Sequence, residues 1–507
     1  MSIPEPHPIS RRSILRGAAI AGAGAAMAPL VNLATASPAA AAATSGNYTI
    51  RFDQPKQTIL GLGFEIQSDS IGSGNNGLPD SFSSVPYDLV PSERDRLYQQ
   101  MFKGDRTDRG FRYCRLALGL YFRGTDPTGK HLQNRYPGQA ELLSDMIHKS
   151  GIEGVAAEYW SPPPGFKSNN NFVAGKLKSF TPAFLDELGD AMVGDLDYLT
   201  ARGVPISMWG LQNEPGGWTT YSSCQYTPAE YVQTFKAVVP KIKAKYPNAL
   251  IHSNSNGGWK DEYGQAMIAD PAALAMMDYW TWHSVGTQST EQLVANRFTT
   301  GAMGKPVFNN EFEYLDNQTS DARCLNTAQS IMNWMTFQNA QSWFWLHALK
   351  PIGNAEAGGY SLGFWRPPGD TDFTRFPDLQ PGHWTWNPRN WNAIAGFVQF
   401  MPWNSVRHHV EEPLYYYQLE PERGWEYLPA VNQRIMAWKT PEGKPVFAIT
   451  NSSSTPYTFT VNTQTAANFR GLRYGPSTNN LLISTKTGPQ LTITVPARSI
   501  EFWIRTP

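Results

Sequence analysis

The chain reads as an α/β protein: a (β/α)8 TIM barrel followed by a small antiparallel β-sandwich side domain. Three observations predict it. Between Ile59 and Trp403, eight short apolar segments each precede helical or looped material, the pattern of a closed parallel sheet. No glycine-rich phosphate loop follows an early strand, which removes the doubly wound alternative. Past Trp403 the texture becomes short alternating strands separated by turn residues, as in a small antiparallel domain.

The elements follow in order. Residues 1–43 form an export address: Ser10-Arg11-Arg12-Ser13-Ile14-Leu15 looks like a twin-arginine signal, and an Ala/Gly-rich run follows it. Pro29, Asn32 and the scarcity of Leu and Ile make that run a poor membrane span. The mature protein is expected to be secreted, with no membrane attachment after signal cleavage. Residues 44–58 supply a strand, Tyr48–Phe52, that joins the side domain. The barrel occupies 59–404. Its strands are Gln57–Glu65, Phe111–Gly119, Val155–Trp160, Val204–Glu214, Leu250–Asn254, Met277–His283, Val307–Glu311 and Ser342–Leu349. Helices are expected after most of them; Thr227 is a good N-cap for the one beginning at Pro228. Residues 405–507 form the side domain, with Thr440-Pro441-Glu442-Gly443 as a hairpin turn.

Composition excludes some classes. Lys+Arg and Asp+Glu both number 42, so no basic stripe argues for a nucleic-acid partner. Seventeen Trp and 22 Tyr suit either sugar stacking or a large aromatic core. The three cysteines lack zinc-like spacing. A bridge between Cys224 and Cys324 stays open on sequence, because their separation in space is not legible. His408-His409 does not read as a metal site, since adjacent side chains in a strand point to opposite faces. No cofactor and no metal are expected.

Reactive groups of a (β/α)8 barrel gather where strands end at the C-terminal face. Those ends are Arg115, Trp160, Asn213, Glu214, His283, Glu311 and Trp345. Two carboxylates on different strands, one protonated and one ionised, are the minimum equipment for hydrolysing a glycosidic bond. The loop Lys350–Arg389 adds Tyr360, Phe364, Trp365, Trp384 and Trp386; a loop of that length in a compact domain is usually functional, and flat aromatics beside carboxylates suggest sugar-stacking subsites.

At these motifs the chain resembles glycoside hydrolase family 30, within the large clan of retaining (β/α)8 glycosidases. Gln57-Thr58-Ile59-Leu60-Gly61-Leu62-Gly63 is similar to that family's opening strand, and Trp160-Ser161-Pro162-Pro163 with Lys167 to its third-strand motif. Gln212-Asn213-Glu214-Pro215 is similar to its acid/base motif. Phe397-Val398-Gln399-Phe400-Met401-Pro402-Trp403, Ala437–Gly443 and Arg498-Ser499-Ile500 resemble its exit from the barrel and its side domain. The resemblance implies Glu214 as general acid/base, Glu311 as nucleophile, Asn213 on the sugar 2-hydroxyl and Arg115 beside the nucleophile. It implies a β-linked polysaccharide or oligosaccharide as substrate and a protein acting as a monomer. Three departures stand out. Glu313 shares a face with Glu311 on a two-residue period and is read as a substrate or loop contact. Glu65 stands where the family has a small or apolar residue; binding substrate hydroxyls and pairing with Arg115 are equally open. His283 lacks the aromatic two places later and is read as a substrate contact.

Overall fold

The computed structural model describes residues 44–507 except 67–88, 104–109, 218, 220, 317, 354–356, 369 and 419–424. The twin-arginine segment therefore lies outside the described residues. β1 (Ser45–Ile59) and β2 (Gly61–Glu65) are separated by the single residue Leu60, so the single strand expected at Gln57–Glu65 is divided between two sheets. β3 (Phe111–Leu118), β4 (Gly154–Tyr159), β5 (Ile206–Gly210), β6 (Leu250–Asn256), β7 (Tyr279–His283), β8 (Val307–Phe312) and β9 (Ser342–Pro351) follow. Each pairs in parallel with the next, and β9 returns to β2, closing an eight-stranded barrel.

Both faces of these strands are covered, and most of their residues are buried. Tyr113, Ala156, Met208, Phe308 and Phe344 fill the interior layer. Cys114, Trp209, Trp280 and Trp343 belong to the larger core shared with the helices. Gly63 is required where it sits: a Cβ there would lie 2.5 Å from the Phe344 ring. The helices are α1 (Pro91–Leu97), α2 (Gln139–Ser150), α3 (Pro182–Thr200), α4 (Pro228–Lys245), α5 (Glu262–Ala269), α6 (Pro271–Met276), α7 (Asp321–Phe337) and α8 (Pro388–Phe400). Thr227 opens α4 with a full capping box. Its hydroxyl accepts from Glu230 N at 3.3 Å, and its own N–H donates to Glu230 Oε2 at 2.7 Å, together worth about 1 kcal/mol.

The long loop after β9 is not structureless. β9 runs on to Pro351, β10 (Ser361–Trp365) pairs beside it, and β11 (Trp384–Trp386) pairs antiparallel with β10. The fully buried Arg366 gathers the rest, donating to the carbonyls of Leu379, Arg375 and Phe376 at 2.6, 2.8 and 3.0 Å. Tyr360, Phe364, Trp365 and Trp384 are buried. They fasten the loop to the barrel rather than offering faces to a sugar.

The side domain contains β12 (Ser405–Glu411), β13 (Leu414–Gln418), β14 (Trp425–Pro429), β15 (Gln433–Lys439), β16 (Pro445–Asn451), β17 (Tyr457–Gly475), β18 (Thr478–Val495) and β19 (Ser499–Thr506). The sheet order is β1-β12-β15-β16-β19-β17-β18, and β1 also pairs with β17, so the sheet curls round a core of Ile50, Ile435, Phe447, Phe459, Ile493 and Trp503. The tail is less fragmented than the sequence suggests, because β17 and β18 form one hairpin of 19- and 18-residue strands. β13 and β14 form a separate hairpin not anticipated from sequence. The Thr440–Gly443 turn joins β15 to β16, closed by Thr440 N to Lys444 O at 3.0 Å. Cys114, Cys224 and Cys324 are free thiols, all buried, so Cys224 and Cys324 are not bridged.

Candidate active site

The ends of β2 to β9 bring seven of the nine sequence-selected residues into one buried polar cluster. Arg115, 1 % exposed, is its centre. Nη1 donates to Glu311 Oε2 at 2.7 Å, and Nη2 donates to Asn213 Oδ1 at 2.7 Å. Nη1 lies 3.8 Å from Glu65 Oε2, and the Trp160 ring covers the guanidinium face at 4.4 Å. Burial disfavours the guanidinium charge, but Glu158, Glu311 and Glu65 outweigh it and hold the group firmly cationic.

Glu311 reaches this cation through an irregularity in its strand. The β7–β8 register slips between Asn309 and Glu311. Asn310 then donates to Ser255 Oγ at 2.8 Å while Glu311 meets Arg115. The Glu311 N–H donates to Asn309 Oδ1 at 2.8 Å, which pins the slip.

Glu214 follows β5 in a left-handed conformation, φ 46°, uncommon for a residue with a Cβ and concentrated at functional sites. The neighbouring backbone maintains it. Asn213 N donates to Tyr159 O at 2.7 Å, Glu214 N to Ser255 O at 3.1 Å and Gly217 N to Glu214 O at 2.7 Å. Gln212 Nε2 donates to Trp160 O at 2.7 Å. Lys167, fully buried, donates to Ser161 Oγ at 2.9 Å, to Phe172 O at 2.8 Å and to Ser223 O. Burial lowers its pKa to about 8. It ties the loop after Trp160 to the segment after Glu214.

His283 lies between the two carboxylates, Nδ1 3.2 Å from Glu214 Oε1 and Nε2 3.6 Å from Glu311 Oε2. Burial works against the imidazolium, yet the charge of Glu311 and the hydrogen bond to Glu214 prevail and raise its pKa. One oxygen of Glu214 and one of Glu311 lie within 4.8 Å of each other, with a His283 nitrogen equally near. This trio is the one group of metal-ligand spacing among the described residues, and neither His408 nor His409 belongs to it. With Arg115 already 2.7 Å from Glu311 Oε2, a second cation there would face direct repulsion.

The other two selected residues, Trp345 and Glu313, are fully buried. Trp345 is fully buried on the helix-facing side of β9: its ring packs near Phe312 and Trp343, and Nε1 donates to Tyr360 O at 2.9 Å. Strand alternation sends Phe344 inward and Trp345 outward, toward the core shared with the helices. Glu313 is wholly buried, and Arg115 pairs with Glu311.

Three cluster members escaped the sequence reading. Glu158 Oε2 accepts from Arg115 Nε at 2.9 Å and from Nη2 at 2.7 Å. Burial opposes its charge, but Arg115 and His252 keep its pKa low. His252 Nδ1 is 3.9 Å from Glu158 Oε1, and His347 Nδ1 is 3.5 Å from Glu65 Oε1. Glu158 was within reach of sequence, since it precedes Trp160 by two residues and so shares its face.

No family model matches the chain, and no curated protein sequence matches it. Its fold does match solved structures. One is the glycoside hydrolase family 30 subfamily 8 xylanase Xyn30A from Clostridium acetobutylicum, 16 % identical with a TM-score of 0.64 over 91 % of this chain and 100 % of that one. Another is the endo-β1,6-glucanase BT3312, 16 % identical with a TM-score of 0.64 over 90 % and 93 %. A third, described as a conserved exported protein from Bacteroides fragilis, is 14 % identical with a TM-score of 0.70 over 90 % and 99 %. At these identities the likeness is one of fold.

Proposed function

We propose that this chain is a retaining β-glycoside hydrolase, exported by its twin-arginine leader and acting as a monomer on a β-linked polysaccharide or its oligosaccharides. One observation carries the reading: Glu214 and Glu311 present oxygens within 4.8 Å of each other, with Arg115 bonded to Glu311 and Asn213 adjoining Glu214. Retaining enzymes place their carboxyl groups about 5–5.5 Å apart, whereas inverting ones leave about 6.5–9.5 Å for a water. The fold likeness to xylanases and a β-1,6-glucanase agrees with a polysaccharide substrate.

In the first step Glu311, kept ionised by Arg115, attacks the anomeric carbon while Glu214 protonates the departing oxygen. In the second, Glu214 takes a proton from water, which displaces Glu311 from the glycosyl ester. Asn213, its carbonyl held by Arg115, offers Nδ2 to the sugar 2-hydroxyl, a bond that strengthens as charge develops.

The test is hydrolysis of a panel of β-linked polysaccharides and aryl β-glycosides, with the anomeric configuration of the first-formed product read by proton NMR. Glu311→Gln is expected to abolish turnover, and Glu214→Gln to slow it roughly 10²–10⁴-fold. Product of retained configuration is expected. Inverted product, or activity that survives Glu311→Gln but not Glu313→Gln, would overturn the assignment.

A further inference from the structure

Arg115 offers five N–H donors in one plane, and how that plane is held determines where the remaining donors point. Glu158 Oε2 takes the Nε edge, accepting from Nε at 2.9 Å and from Nη2 at 2.7 Å. Trp160 takes the face at 4.4 Å. What is left addresses the reaction: Nη1 on Glu311 and Nη2 on Asn213, both at 2.7 Å. Without Glu158 the guanidinium could turn about its own stem and lose both alignments together.

We propose that Glu158 is a positioning residue that acts through Arg115, orienting Glu311 for attack and Asn213 toward the sugar. This deepens the glycosidase reading and rests on it. Glu158 acts in two ways. Its edge contact fixes the guanidinium, so that Glu311 presents its other oxygen, Oε1, to the anomeric carbon while Oε2 stays on Nη1. Its negative charge also competes with Glu311 for the one cation. Glu311 is thus ionised but not over-stabilised, which preserves its reactivity as a nucleophile.

The surrounding charges define what a pH profile can report. Facing Glu158 are Arg115 and the imidazole of His252, with Nδ1 at 3.9 Å from Oε1; the Ser255 hydroxyl also hydrogen-bonds it. Facing Arg115 are Glu65, itself 3.5 Å from His347, and Glu311. Facing Glu311 is His283, which also reaches Glu214. Glu158 lies on β4 and Glu311 on β8, and both hydrogen-bond to Arg115.

The experiment compares Glu158→Gln and Glu158→Ala with wild type in the full chain, measuring kcat, KM, the acid limb of kcat/KM against pH, and the thermal midpoint. Gln keeps the edge acceptor and removes the charge. It should lower kcat about 10-fold and move the acid limb down by about one pH unit, since a negative neighbour has gone. Ala removes both, and should lower kcat about 100-fold with KM within about threefold, so that Gln recovers part of the loss. A purely structural role would lower the thermal midpoint and leave the acid limb in place. The proposal is overturned if Glu158→Gln leaves kcat and the acid limb unchanged in an enzyme that Glu311→Gln inactivates. It is also overturned if the whole loss lies in KM. If Ala does not fold, the Gln arm decides alone. A wild type that Glu311→Gln does not impair, or that cleaves no β-glycoside, instead overturns the glycosidase reading and this inference with it.

Discussion

Asp195 on α3 gives a stability prediction whose sign and size both come from its surroundings. Its Oδ1 accepts from Leu132 N at 2.6 Å, and its Oδ2 from Tyr159 OH at 2.8 Å. Tyr159 sits on β4 between Glu158 and Trp160, so this carboxyl fastens α3 to the strand that carries both. Burial raises its pKa from 3.8 to about 8, and the charge of Asp126 adds to this against the two hydrogen bonds. A carboxyl raised in this way is neutral in the folded protein near pH 7 and ionised in the unfolded chain. The proton's contribution to stability is full below pH 3.8 and disappears as pH rises through about 8. At about 1.4 kcal/mol per pH unit, the interval from 3.8 to about 8 sets a ceiling of about 6 kcal/mol. Asn has nearly the same shape and needs no proton. Asp195→Asn should therefore gain on wild type by about 2–4 kcal/mol between about pH 4 and about pH 8. Chemical denaturation across that range measures it. A difference between the two proteins that is independent of pH would refute the argument, because it would mean Asp195 is ionised in the native state.

Two further outcomes follow from the same reasoning. His283 has a raised pKa, so its imidazolium contributes most below its ordinary value of 6.5 and is lost as pH rises through the folded-state value. His283→Gln should cost more stability at about pH 5 than at about pH 9, and paired melts test this; an equal cost at both would contradict it. Trp345→Phe removes a buried indole and its bond to Tyr360, and should cost about 2 kcal/mol while leaving KM within about twofold, because the ring faces the helices. A large rise in KM would return Trp345 to the substrate site.

Much of the architecture was present in the order of residues. Eight apolar runs alternating with helices leave few ways to bury both faces of a sheet, and closing it is the simplest. The N-cap at Thr227 and the hairpin turn at Thr440 are local, set by a few neighbouring side chains, and so were legible. Glu214 and Glu311 were legible because each ends an apolar run.

What tertiary structure decided was phase. A strand buried on both sides has no polar alternation to mark its inward face, so Trp345 and the interior-facing Phe344 look alike in sequence. A one-residue slip then shifts every later side chain. The slip at Asn309–Glu311 joins Glu311 to Arg115, and another between Trp345 and His347 precedes the residue that meets Glu65. Only closure of the barrel sets Glu65, Glu158 and Glu311 around one guanidinium. Strands far apart in the chain supply those contacts, and no local pattern encodes them.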